Sequence, residues 1–185
     1  MNGQAETSIL DELPGDLLIW VLIISELLVF GAGLGAFLSV RLTDPVGFAE
    51  AQQHLDRTGA ALNTVVLITS GYLAARALQF RQAARRSAAR LALLGAAALG
   101  VVFLVIKGAE YAGKAAEGIN YDTHPFFMFY YLLTGFHATH VVAGIILLLL
   151  VAWRDAPENI EMGAAFWHMV DLVWVLLFPI IYLLA

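Results

Sequence analysis

Residues 126–153 read FFMFYYLLTGFHATHVVAGIILLLLVAW. The stretch holds no Asp, Glu, Lys or Arg, and as a helix it is long enough to cross roughly 30 Å of hydrocarbon. It nevertheless carries His137 and His140 near its middle, three residues apart and so on one helix face. Ionisable groups inside a span are costly and face a protein interior, so they mark a site or a subunit contact.

Four further runs of the same kind lie outward from it: Leu17–Val40, Ala60–Phe80, Leu91–Tyr111 and Gly163–Leu184. Apolar residues make up 61% of the chain and charged ones only 14%, which leaves too little for a soluble domain. The longest connection, Arg41–Gly59, is too small for a core of its own. The expected architecture is all-α: residues 1–185 as one polytopic bundle of five transmembrane helices after a polar tail, residues 1–16. The tail carries Glu6, Asp11, Glu12 and Asp16 without Lys or Arg, so it lacks the basic region of a signal peptide. The absence of cysteine excludes disulfides and thiolate metal sites. A net charge of −5 with no basic stripe excludes a nucleic-acid partner.

Orientation follows from Arg76, Arg81, Arg85, Arg86 and Arg90, which cluster around the second connection. The positive-inside rule puts that connection and the N-terminus in the cytoplasm. Depths at 1.5 Å per residue then follow. Glu26 lies roughly 13 Å deep, His168 and Asp171 roughly 8 and 12 Å, and His137 and His140 roughly 14 and 9 Å from the inner surface. All five fall in the inner half of the membrane. A carboxylate beside an imidazole can fix its tautomer or favour its charged form. Either Glu26 or Asp171 is expected to bond a histidine of a neighbouring helix. A second pair, Lys107 and Glu110, is also three apart, near the outer end of the third span. It either closes on one face or lets Lys107 snorkel to the interface.

Three readings of the inner layer stand together. Histidines and carboxylates can hold a metal or haem, although the paired Glu-x-x-His motifs of helical di-iron sites are absent. They can form a proton path, or they can be buried hydrogen bonds that fix helix packing. Gly31, Gly33, Gly35, Gly100, Gly135 and Gly144 favour close helix approach. Pro179 should disturb the last helix near its end. Trp20, Trp153, Tyr130, Tyr131 and Tyr182 sit where interface aromatics are expected.

Several segments resemble subunit III of the haem-copper oxidases. They are LTGFHATHVVAG at Leu133–Gly144, GAAFWHMVDLVWVLLFPIIY at Gly163–Tyr182, ISELLVFG at Ile24–Gly31, LNTVVLITSG at Leu62–Gly71 and AEY at Ala109–Tyr111. They occur in the family's order across nearly the whole chain. The resemblance implies a non-catalytic subunit of a respiratory electron-transport complex. It would support assembly, stability and proton uptake of a partner catalytic subunit that carries the haem and metal, and could bind lipid. It implies no catalytic, cofactor or metal residue in this chain. Its intramembrane polar positions fall on Glu26, His137, His140, His168, Asp171 and Glu110. The long form has seven spans, and this chain shows five. LPGD at Leu13–Asp16, LDRTGAALNT at Leu55–Thr64 and FPIIYLL at Phe178–Leu184 are most similar to the NorE-type proteins associated with nitric oxide reductase and denitrification. An oxygen-reducing cytochrome c oxidase is the alternative partner. The expected location is a bacterial inner membrane. A stand-alone proton-conducting or transport protein fits less well, because the five spans show no inverted repeat.

Overall fold

The computed structural model describes residues 17–154 and 156–184, with Glu158 lacking a described side chain. The acidic tail and the Leu13–Asp16 segment lie outside the described residues. Helices α1 (Leu17–Arg41), α2 (Pro45–Gln53), α3 (Arg57–Gln82), α4 (Arg86–Ala116), α5 (Pro125–Arg154) and α6 (Pro157–Phe178) follow in order, and a π-helical turn, Pro179–Leu183, closes the chain. Five helices are long and apolar enough to cross a membrane: α1, α3, α4, α5 and the segment Asn159–Leu183. The protein is therefore a multi-pass membrane protein with the five spans expected from the sequence.

Helix α2 is the element the sequence did not disclose. It starts at Pro45, whose missing N–H is no loss at a first helical position, and Asp44 caps it by accepting from the Gly47 N–H at 3.0 Å. Phe48, Ala51 and Leu55 join the common core, and the Gln52 amide donates to the Ile181 carbonyl at 2.8 Å. The first connection is thus a lid over one end of the bundle. Asp56 caps α3 through Gly59 in the same way, at 2.9 Å.

Helices α3 and α4 form a tight hairpin. Its turn closes by Arg85 N–H to the Phe80 carbonyl at 2.8 Å, with Ala84 at φ 59. This is the helix-ending geometry usually given to glycine. Buried alanines recur on both helices: Ala60, Ala74 and Ala77 on α3, and Ala89, Ala92, Ala96 and Ala97 on α4. Without a hydrophobic force between helices in lipid, such small residues gain contact by letting backbones approach.

The centre of the bundle belongs to α6. Trp167 sits fully buried between Gly100 of α4 and Gly144 of α5. A Cβ at either glycine would lie 2.7 or 2.5 Å from the indole, so only glycine admits the ring. Gly33 likewise faces Leu133, whereas Gly31 and Gly35 meet nothing within 4 Å and point out of the bundle. Helix α1 lies at the margin against α5 and α6. Pro179 cannot donate, and the chain widens there: Leu184 N–H reaches back to the Pro179 carbonyl at 2.9 Å. The widened turn carries Tyr182 into the core, fully buried.

Candidate functional site

The intramembrane polar residues sort into three separate contacts and one enclosed histidine. Among the described residues, no three His, Asp or Glu side chains come together as a metal-ligand set.

The first contact joins α1 to α5. His140 Nε2 lies 3.1 Å from Glu26 Oε2, and His140 Nδ1 lies 2.9 Å from the Phe136 carbonyl. A carbonyl only accepts, so Nδ1 carries a proton. One proton then remains for the Nε2–Oε2 contact. Either imidazolium faces carboxylate, or neutral His140 accepts from the Glu26 carboxylic acid. In both states the pair is neutral overall, which makes it tolerable in lipid. The side chains keep 13% and 21% of their exposure, so the pair stays reachable from outside the bundle. Phe30 and Phe136 flank the imidazole, with centroids at 5.5 and 4.6 Å. Of the two carboxylates the sequence offered, Glu26 is the one that reaches a histidine on another helix.

The second contact lies on α6 against α3. Asp171 Oδ2 stands 4.0 Å from His168 Nδ1 on its own helix. Gly71 of α3 is the only residue type that leaves room for this carboxylate, because a Cβ there would collide with Asp171 Oδ2 and lie 3.3 Å from His168 Nδ1. Asp171 Oδ1 is buried without a hydrogen-bond partner among the described residues.

His137 stands apart from both. It is wholly buried, and neither ring nitrogen has a partner among the described residues. It stacks on Trp174, with centroids 5.4 Å apart, and meets the edge of Phe103 at 5.5 Å. It is a packing residue between α4, α5 and α6.

The third contact, towards the α2 end of the bundle, is larger than the sequence suggested. Lys107 is only 2% exposed. Its Nζ donates to Glu110 Oε2 at 3.0 Å, to the Tyr130 hydroxyl at 3.1 Å and to the Tyr182 hydroxyl. Tyr182 in turn donates to the Glu110 carboxylate, 3.1 and 3.2 Å from its two oxygens. The ammonium lies 4.5–5.7 Å from the ring centroids of Tyr111, Tyr130, Trp174 and Tyr182. Lys107 therefore does not snorkel, because its partners are inside. Tyr130 and Tyr182 are not interface aromatics as their positions near span ends implied. They belong to this cluster.

Two indole–hydroxyl relays also escaped the sequence reading. Trp167 Nε1 donates to Ser70 Oγ at 3.0 Å, which donates to the Ala96 carbonyl at 2.7 Å. Trp174 Nε1 donates to Thr64 Oγ1 at 3.0 Å, which donates to the Ala60 carbonyl at 2.9 Å. The seven-residue spacing of the two tryptophans puts them two turns apart on one face of α6, and that was the available signal.

The family model of cytochrome c oxidase subunit III matches residues 3–185. The chain belongs to the cytochrome c oxidase subunit III family. Cytochrome c oxidase subunit 3 of Synechocystis sp. is 30% identical over 175 residues, covering 88% of this chain and 72% of that protein. The subunit 3 of Thermostichus vulcanus is 30% identical over 178 residues, covering 89% and 85%. A probable quinol oxidase subunit 3 of Staphylococcus epidermidis is 24% identical over 175 residues, covering 90% and 87%. All three polar contacts, and His137, thus lie within the matched subunit III region.

Proposed function

We propose that this subunit III-family chain is a non-catalytic membrane subunit that packs beside the catalytic subunit of a haem-copper oxidase superfamily complex, stabilising it and supporting its proton uptake. The whole-chain family match carries the reading. The geometry supports it, because the bonds of Lys107 to Tyr130 and Tyr182 and the two indole relays tie helices together, while Glu26–His140 holds one exchangeable proton at the bundle's margin. Haem and metal belong to the partner, and lipid fills the perimeter. The arginines around the α3–α4 turn favour a cytoplasmic N-terminus in a bacterial inner membrane. Reporter fusions after Arg86 and after Ala185 are expected to read cytoplasm and exterior respectively.

The names of the relatives favour an oxygen-reducing partner. The LDRTGAALNT and FPIIYLL segments favour a nitric oxide reductase. Affinity purification of the native complex, followed by haem spectra and gas consumption with oxygen or nitric oxide, decides between them. Purification without any haem-bearing partner would refute the proposal. So would a stoichiometric metal or haem in the isolated chain that is lost in His137→Ala or His168→Ala.

A further inference from the structure

A groove of about 530 Å³ opens between the start of α1, the end of α3 and the start of α6. Its walls are apolar, and its polar lining is Trp20, Gln79, Gln82, Glu161 and His168. We infer that this groove binds a membrane quinone, a neutral ring head with an oxygen at each end and an apolar tail.

The polar groups lie at two depths. Gln79, Gln82 and Glu161 sit at the mouth. His168 is seven residues further along α6 than Glu161, about 10 Å deeper. A phospholipid has its polar atoms at one end and would set acyl chain against His168. A quinone ring presents hydrogen-bonding oxygens at both ends. The charge points the same way. Among the described lining residues there is one carboxylate and no Lys or Arg, and Arg76 beside the groove is engaged with Gln79, so a phosphate would find no cation in the lining itself.

The side chains are also set for it. His168 Nδ1 lies 4.0 Å from Asp171 Oδ2 and beside Gly71, and its Nε2 makes no hydrogen bond among the described residues, on a side chain that is 47% exposed. Arg76 donates to Gln79 Oε1 at 3.0 Å, so the Gln79 amide N–H groups remain as donors. A quinone carbonyl accepts from Gln79, and a hydroquinone hydroxyl donates to His168 Nε2. The volume lies within the usual range for small-molecule sites and accommodates the ring with the first units of its tail.

Photolabelling of the purified native complex with an azidoquinone, followed by peptide mapping, tests the inference. Adducts are expected on the segments that carry Trp20, Gln79 and His168. Excess unlabelled quinone should displace them, and excess phosphatidylglycerol should not. His168→Leu should weaken labelling about fivefold, the value of one hydrogen bond, while His168→Gln retains most of it. Should His168→Leu fail to assemble, Gln79→Leu at the mouth gives the same reading. Absence of adducts from these segments, equal displacement by phosphatidylglycerol, or labelling indifferent to these substitutions would each overturn the assignment. None of these outcomes depends on which gas the partner reduces.

Discussion

Lys107 offers the sharpest test of how this bundle is held together. Replacing it with Met keeps the stem's volume and removes the ammonium. Three hydrogen bonds go with it, to Glu110, Tyr130 and Tyr182, as do the contacts with four rings. Glu110, whose side chain is 6% exposed, retains the Tyr182 hydroxyl as a donor. Breaking a buried pair from one side typically costs about 3–5 kcal/mol, mainly because the surviving charge is stranded. Removing both charges together is far milder, since the desolvation of both ions is recovered. Lys107→Met and Glu110→Leu should therefore each destabilise by about 3–5 kcal/mol, while the double variant returns to within about 2 kcal/mol of wild type. The assay is reversible unfolding in mixed micelles of rising SDS content, followed by circular dichroism and Trp fluorescence. Two results would refute the reasoning: single variants that lose under about 1 kcal/mol, as an exposed pair would, or a double variant no better than the sum of its singles.

Substitutions at three further contacts probe the rest of the bundle. Glu26→Gln lets the amide donate to His140 Nε2 but carries no exchangeable carboxyl proton, so assembly should stay near wild type while turnover of the partner enzyme slows. Glu26→Ala should also lower complex yield, from a stability loss of about 1–3 kcal/mol, and wild-type yield and rate in both variants would remove this pair from the proposed function. Gly71→Ala should destabilise by about 1–3 kcal/mol through collision with Asp171, and Asp171→Ala in the same chain should relieve it, as read by thermal unfolding in detergent. Trp174→Phe loses its bond to Thr64 and should cost about 1–2 kcal/mol in the same assay, whereas a change at exposed Trp153 should cost almost nothing.

Much of the fold was legible because lipid imposes a coarse rule: a spanning segment must be long, apolar and helical. That rule returned five spans whose limits differ from the helices by a few residues. It passed over α2, whose nine residues are too few to span and whose contribution to the core rests on Phe48 and Ala51. The identity of the polar residues was legible for the same reason, since an ionisable group in a span is conspicuous. Their partners were not, because partners depend on how each helix is rotated and how far it slides along its neighbour. Glycines at Gly71, Gly100 and Gly144 set those two quantities through the side chains they admit. Three-residue spacing put His137 and His140 on one face, yet one reaches Glu26 and the other is enclosed by Trp174 and Phe103. Tyr130 and Tyr182 carry no mark in the sequence that separates a lysine partner from an interface anchor.

The two acid–base pairs differ in a way that bears on their roles. Lys107–Glu110 is closed in by tyrosines and by the widened turn after Pro179, and each of its charges has several partners. A proton leaving that cluster would strand a buried charge, so the arrangement suits a fixed tie between α4, α5 and the chain's end. Glu26–His140 has one proton between two atoms, a backbone carbonyl that fixes the tautomer, and a residual opening at the bundle's margin. Either position of that proton between the two atoms leaves the pair neutral, whereas its loss leaves the carboxylate facing a bare Nε2, so charge balance holds only while a departing proton is replaced through the opening at the margin. Under the proposed function, proton support of a partner is expected of the marginal pair and structural support of the enclosed one. That division is why Glu26→Gln should affect turnover before assembly, whereas Lys107→Met should affect assembly before turnover.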